Sequence, residues 1–466
     1  MNRRRFTGVG ALAVFGVLLA FTATAAFAAN TITVPAGSGG GTCGPGNYNS
    51  ARFSGDCGAQ VTFDGSTNSA FVQDNSPAAE ATYSVRFYVN LREATTAGDG
   101  YDLFVAASGT EPVATNPIPA NASRFRAFLT PATFGEETLF IAARKSDNTE
   151  ITSAGIPLKH GWHSIEVRWL RSDSSSTNGK VELWVNGVKK TAEMAAFAAF
   201  NNNISGSGID YVRWGAVAGV DGGSGKLLMD DFVSQRSGYI GPVQAFTDVP
   251  FSHQFFKEIQ GFYASGVTTG CTNSPLAYCP TNPVNRGAMA VFIMRAKATH
   301  LDHNPNYNPP PAVGIFHDPE FDPALCGGTP SGCSLLWMEP WAEALYNAGI
   351  TTGCDNNPLR YCPGNVTNRG AMAVFILRAL EGASYAPPAA SGVFTDPEFD
   401  PALCGGTPSG CALLWMEPWA EELLNRGITS GCNGPTMYCP GNGTLRQAMA
   451  AFLSRGFAIP YHFVGP

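Results

Sequence analysis

The sequence predicts a multidomain protein in which an all-β sandwich precedes an α-helical array of helix-loop-helix repeats. Three observations carry this. Between Tyr83 and Val233, apolar residues recur at every second position in short runs separated by Gly-rich turns, the period of half-buried strands. Past residue 246 the period changes to i, i+3, i+4, the stripe of an amphipathic helix. Finally, Asp318–Cys333 reads DPEFDPALCGGTPSGC and recurs without change at Asp396–Cys411; after one difference (Ser334 against Ala412), LLWMEPWAE follows both. Identity of that length within one chain marks a duplicated unit.

The N-terminus has the layout of a secretory signal peptide over residues 1–28. Arg3, Arg4 and Arg5 precede an apolar run from Gly8 to Ala26, and Ala26-Phe27-Ala28 is an A-x-A cleavage site. The R-R-x-F start also suits twin-arginine export. No later stretch has the ~20 apolar residues of a membrane span, so no transmembrane segment is expected after cleavage. Removing the three arginines takes the formal charge from −7 to −10. An acidic chain without a basic run is a poor partner for nucleic acid. The twelve cysteines fall into six close pairs: Cys43/Cys57, Cys271/Cys279, Cys326/Cys333, Cys354/Cys362, Cys404/Cys411 and Cys432/Cys439. In an oxidising compartment such pairs read as local disulfides. Zinc spacing of the CxxC type is absent, so no metal site is expected from them.

Taken in order, the chain from Ala29 to Gly58 is rich in Gly, Thr and Asn, and a sandwich domain is expected over 30–240. Its strands are expected at Tyr83–Leu91, Tyr101–Val105, Phe125–Leu129, Thr138–Ala143, Ile165–Trp169, Val181–Val185, Tyr211–Ala216 and Leu227–Val233, with a hairpin turn at Asn186-Gly187. The runs WHSIEVRW (162–169), KVELWVNGV (180–188) and LLMDDF (227–232) resemble the concanavalin-like, laminin-G-like jelly roll over about 60–240. Lectins, carbohydrate-binding modules, glycoside hydrolases and structural spacers share that fold, so it does not choose a function. Gly238–Ala245 reads as a linker.

Three copies of one frame follow, at 246–297, 316–380 and 394–456: F-x-D, a helical segment, G-[VI]-T-x-G-C, Y-C-P and R-x-A-M-A. The first copy lacks the Cys-bearing insertion. In each copy a first helix ends at Gly266, Gly349 or Gly427, with Pro340 and Pro418 in the first turn where proline fits. The second helix starts after Asn285, Asn368 or Leu445, two good N-caps and one poor one. Its stripes are Met289/Phe292/Ile293, Met372/Phe375/Ile376 and Met449/Phe452/Leu453, which are read as core. FTDVP…HQFFKEIQGFYASGVTTG…NRGAMA resembles the S-layer homology repeat. Trp337 and Trp415 stand twelve residues before the helix-ending glycines, where the first copy has Gln254. The resemblance implies a trimer of repeats that attaches an exported protein to wall polysaccharide or peptidoglycan. It also implies that Arg286, Arg369 and Arg446 pair with anionic sugar groups. Asp248, Asp318, Asp396, Trp337, Trp415, Gly270, Gly353 and Gly431 complete the grooves in that reading. The chain departs from the family's T-R-A-E motif, with Ala288, Ala371 and Ala448 in place of its glutamate. Two alternatives stay open: the arginines as helix-capping or inter-repeat bonds, and the tryptophans as packing beneath the insertion.

Other chemistry is thinly represented. D-P-E-F-D at 318–322 and 396–400 admits calcium, although Asp-Pro also simply makes turns; no cofactor is expected. Asp230-Asp231 is equally open. No E-x-D-x-E strand is present, His160/His163 and His300/His303 lack a metalloprotease glutamate, and no G-x-S-x-G elbow follows a strand. No catalytic residue is therefore expected. The reading is a secreted, bacterial cell-surface protein, wall-anchored by three repeats, displaying a sandwich that binds glycan or serves structurally. A polysaccharide-acting enzyme and a protein-binding adhesin are the alternatives.

Overall fold

A computed structural model of the protein describes the backbone at 4–5 and 31–33 and then residues 51–462, except 56, 96–97, 111–116, 120, 134–135, 175, 221–222, 327–332 and 405–410. The signal-peptide cleavage site and Cys43 lie outside the described residues. Two compact units are formed. The first holds the described residues up to Phe251 together with Cys271–Ala277 and His462, and the second holds Ser252–Gly270 and Tyr278–Tyr461.

The first unit is a β-sandwich of two antiparallel sheets. One sheet runs Val188–Lys189, Lys180–Val185, Trp162–Leu170, Thr82–Thr95, Ser224–Gln235, Ala59–Asp64 and Thr31–Thr33 in hydrogen-bonded order. The other runs Ile156–Leu158, Glu137–Arg144, Ser123–Pro131, Tyr101–Ala107, Tyr211–Ala218 and Ala70–Asp74, with Glu150–Thr152 pairing Glu137–Arg144. All eight strands read from alternation are present, and their inward residues, among them Phe87, Phe104, Phe125, Val167, Trp169 and Trp214, form one core between the sheets. Burial of each such side chain stabilises by roughly 1.5–3 kcal/mol. Asn186 (φ +53°) and Gly187 (φ +78°) make the hairpin turn, the left-handed pair that a two-residue connection demands.

Gly238–Ala245, read from sequence as a linker, is instead strapped across the first sheet. Glu166 accepts from Ile240 N at 2.6 Å and Gly241 N at 2.9 Å. Arg86 donates to Gly241 O at 3.0 Å, Tyr88 Oη accepts from Val243 N at 3.0 Å, and Ser84 donates to Gly238 O at 2.8 Å. These polar residues sit at every second position of two neighbouring strands and therefore on the face away from the core, where the strap covers them.

Among the described residues the second unit contains six α-helices: α1 (Phe256–Ala264), α2 (Arg286–His300), α3 (Glu339–Asn347), α4 (Arg369–Glu381), α5 (Glu417–Asn425) and α6 (Arg446–Gly456). Asn285 and Asn368 cap α2 and α4 by accepting from Ala288 N (2.8 Å) and Ala371 N (2.7 Å), and Leu445 gives α6 no side-chain cap. The Met/Phe/Ile stripes are buried. The packing unit differs from the sequence repeat: α3 packs on α2, α5 on α4 and α1 on α6, so each first helix lies against the second helix of the preceding copy. Backbone bonds close the same cycle, with Val284 N to Thr444 O (2.9 Å), Thr444 N to Thr367 O (2.8 Å) and Thr367 N to Val284 O (2.9 Å).

Cys326–Cys333, Cys354–Cys362, Cys404–Cys411 and Cys432–Cys439 are disulfides within single repeats, and Cys57, Cys271 and Cys279 are also disulfide-bonded. Such bridges belong to an oxidising compartment. Among the described residues no helix is long and apolar enough to cross a membrane.

Burial pushes the Glu166 carboxyl up to about 7 from its ordinary 4.5, against the strap's two N–H groups and Arg86, which favour its charge. Because it titrates higher folded than unfolded, its contribution to stability is full below pH 4.5 and is lost as pH rises through about 7. Thermal melts should therefore show the sandwich transition falling over that window in the native chain. Glu166→Gln should flatten that slope; an equal slope in both proteins would remove Glu166 as its source.

Candidate functional site

The three motif arginines occupy equivalent places in the ring. Each opens a second helix and reaches into the Y-C-P turn of the next copy. Arg286 donates from Nε to Tyr361 O (2.8 Å), Arg369 to Tyr438 O (2.8 Å) and Arg446 to Tyr278 O (2.7 Å). The tyrosines reciprocate: Tyr361 Oη donates to Arg286 O at 2.7 Å, Tyr438 Oη to Arg369 O at 2.7 Å, and Tyr278 Oη to Arg446 O at 2.8 Å. Each guanidinium also lies over that tyrosine ring and over a phenylalanine. Arg286 is 4.9 Å from Tyr361 and 5.4 Å from Phe375; Arg369 is 4.9 Å from both Tyr438 and Phe452; Arg446 is 4.7 Å from Tyr278 and 5.4 Å from Phe292. Desolvation holds the Arg286 and Arg369 guanidinium pKa values below the ordinary range, with Tyr361 and Asp318, or Tyr438 and Asp396, opposing it.

The aspartates hold the receiving turn. Asp318 accepts from Tyr361 N (2.6 Å) and Cys362 N (2.7 Å), and Asp396 accepts from Tyr438 N and Cys439 N, both at 2.6 Å. Both aspartates are buried. Cys362 and Cys439 have φ of +57° and +58°, a left-handed conformation that a non-glycine residue adopts at a cost of about 1–2 kcal/mol. The paired carboxylate bonds offset that cost. Asp and Arg thus grip the same tyrosine peptide from its two ends.

Of the other sequence candidates, Gly353 and Gly431 (φ +93° and +92°) place their carbonyls 3.4 and 3.3 Å from Arg286 Nη2 and Arg369 Nη2. Gly270 has the same conformation, φ +93°, in the second unit, whereas Asp248 belongs to the first unit. Trp337 and Trp415 are each 54% exposed. They stand on 3-10 turns, Leu336–Met338 and Leu414–Met416, pressed against the starts of α2 and α4. A Cβ on Gly287 would collide with Met338 Sδ, and one on Gly370 with Met416 Sδ. Arg286, Asp318 and Gly353 therefore meet around the Tyr361 turn, and Arg369, Asp396 and Gly431 around the Tyr438 turn.

The remaining polar clusters are committed to the fold. Asp318, Cys354 and Cys362 converge, but both sulfurs are bridged and both carboxylate oxygens are engaged. In the acidic loops, Asp322 and Asp400 accept from Ala324 N and Ala402 N (2.8 Å each), turn bonds of the Asx kind. Asp230 accepts from Phe53 N (2.6 Å) and Ser54 N (3.0 Å), and burial together with Asp231 raises its pKa. His163 donates from Nε2 to Lys159 O (2.6 Å), which leaves Nδ1 to accept from Asn186 Nδ2 at 3.2 Å. The tyrosines of Y-C-P were quoted in the sequence frame without a role. Their recurrence in all three copies was the available signal.

No family model matches the chain, and no curated protein matches it. Solved structures similar to it align over about two fifths of its length. The receptor-binding domain of botulinum neurotoxin type G aligns at 12% identity over 38% of this chain and 38% of its own, with a TM-score of 0.24. The cellulose-induced protein Cip1 aligns at 15% identity over 40% and 81%, with a TM-score of 0.27. The PL-14 alginate lyase of Aplysia kurodai aligns at 12% over 38% and 82%, with a TM-score of 0.25. At these scores the likeness carries nothing about activity or ligand.

Asp318→Ala should lower the stability of the repeat unit by about 3 kcal/mol, because it orphans two buried N–H groups. Asp318→Asn, which keeps one acceptor oxygen, should cost less. Chemical unfolding followed by the helical signal reads both; unchanged midpoints would show that the aspartate does not hold the turn.

Proposed function

We propose that this is an exported bacterial surface protein anchored non-covalently to the cell wall through repeats of the S-layer homology type. In this reading the clefts between repeats take anionic sugar groups of wall polysaccharide or peptidoglycan. One observation supports it most. Arg286 and Arg369 spend Nε on the joint, while Nη1 makes no hydrogen bond among the described residues, and an exposed tryptophan stands on the turn beside each helix start. A guanidinium edge suits a carboxylate or ketal acid, and an indole face suits a sugar ring. The arginines therefore serve both alternatives, inter-repeat bond and ligand contact, with different nitrogens. The sandwich is the displayed part, a glycan-binding or structural module.

Sedimentation with purified sacculi tests the anchor. The full chain should pellet with intact sacculi and stay in solution after their secondary polymer has been stripped with acid. Trp337→Ala/Trp415→Ala should keep its melting temperature and lose affinity at least tenfold. Pelleting of that variant at native affinity would end this reading. Release of reducing ends from a polysaccharide panel would instead mark the enzymatic alternative.

A further inference from the structure

We infer that the sandwich holds the end of the chain in an acid-sensitive latch: the His462 imidazole is seated beside Phe53 and His163, and protonation expels it. This concerns the first unit alone and stands apart from the anchor reading.

Past the end of α6 the chain returns to the first unit at His462, which is 2% exposed. Its ring lies nearly parallel to two others, 6.2 Å from Phe53 with 18° between planes and 6.5 Å from His163 with 27°. Phe53 in turn stacks on Tyr88 at 4.1 Å and meets Trp162 edge to face at 5.7 Å, so aromatic rings wall the seat. One imidazole nitrogen bonds the backbone of Trp162, and Nδ1 has no hydrogen-bond partner among the described residues. Such a ring fits only without charge, since a proton on Nδ1 would be a buried donor facing no acceptor.

The neighbouring histidine cannot relieve this. His163 donates from Nε2 to Lys159 O at 2.6 Å, so a second proton would go to Nδ1, which already accepts from Asn186 Nδ2 at 3.2 Å. Turning the Asn186 amide round would present an acceptor there, but its Oδ1 is held by Ser164 N at 3.1 Å. Two charged rings side by side would also repel, and His160 adds to the repulsion felt by His163. The carboxylates of this region are spent on the segment that carries Phe53: Asp230 on Phe53 N (2.6 Å) and Ser54 N (3.0 Å), Asp231 on Ser54 Oγ (2.5 Å). Arg52 is turned to Gly55 O and Asn273 O at 2.9 and 3.1 Å. Burial first, and His163 next, push the His462 pKa down to about 3 against the Trp162 bond, and burial lowers that of His163 as well.

The direction follows from linkage. A released His462 titrates at its ordinary 6.5 and the seated one at about 3, so the released state takes up the proton first. The latch is therefore fully held above pH 6.5 and weakens as the pH falls from there to about 3, by up to about tenfold per pH unit. Glu166 and Asp230, both raised by burial, push the stability of the whole sandwich the opposite way, so the latch shows only in a local readout.

Hydrogen exchange of the full chain, read by mass spectrometry on its C-terminal peptide and on the Thr82–Thr95 strand, supplies one. Between pH 7 and pH 4 the C-terminal peptide, corrected for the intrinsic pH dependence of exchange, should lose about tenfold or more of its protection while the strand keeps its own. His462→Phe keeps a ring that cannot take a proton and should make that protection independent of pH. His462→Ala should leave the peptide unprotected throughout. Constant protection in the native chain, an equal loss in His462→Phe, or a simultaneous loss at Thr82–Thr95 would overturn the latch.

Discussion

The repeat unit depends on one reciprocal pair of bonds made three times: arginine Nε to a tyrosine carbonyl, and that tyrosine's hydroxyl back to the arginine carbonyl. The first helices α1, α3 and α5 are nine residues each, too short to persist alone in water. Each packs mainly on the second helix of the preceding copy, with contacts such as Phe262 on Phe292 (ring centroids 5.4 Å) staying within one copy. Such an arrangement is stable only if the last copy meets the first. The bond from Arg446 to Tyr278 makes that closure across 168 residues of sequence. Breaking one joint therefore frees two neighbours, and stability should be shared cooperatively around the ring rather than residing in repeats.

The sandwich solves a different problem with related means. Its first sheet carries Arg86, Tyr88 and Glu166 on the face away from the core, polar groups that a strand can leave in water. Here they are buried beneath the strap, where unpaired groups would be expensive. The strap supplies its own N–H and C=O groups as partners, so irregular backbone and buried side chains satisfy one another. Glu166 remains the costly member, which is why its charge is pH-sensitive.

Periodicity made the strands and helix stripes legible, because alternation and the i, i+4 spacing are direct consequences of burial on one face. Caps and turns were legible where side chains make them, as at Asn285, Asn368 and Asn186-Gly187. The strap was not, since Gly238–Ala245 is held by its backbone and the side chains that hold it are some 70 to 155 residues away. The exchange of helices between copies was equally hidden: a repeat in sequence fixes what each unit looks like, not which neighbour it packs on. At the joint, the arginines were found by repetition. Tyr361, Tyr438 and Tyr278 were passed over because they act through a carbonyl, which every residue owns. The aspartates were assigned to the ligand set by family resemblance, and their oxygens are on backbone amides.

That placement of the aspartates explains how each arginine is held rigid at its joint. A surface arginine loses side-chain entropy when it grips an anion, of the order of 1–2 kcal/mol. Here the loss has already been met on folding. Nε is fixed by a carbonyl whose own peptide is pinned by Asp318 or Asp396, and the guanidinium plane is held between two rings. The adjoining disulfide confines the turn further in the unfolded chain. Nη1 of Arg286 and of Arg369 makes no hydrogen bond among the described residues. Under the proposed anchor function, rigidity demanded first by ring closure would also preorganise the joint for its ligand. The third joint accordingly keeps the same arginine bonds although Leu445 and Gln447 replace the capping asparagine and the glycine beside it.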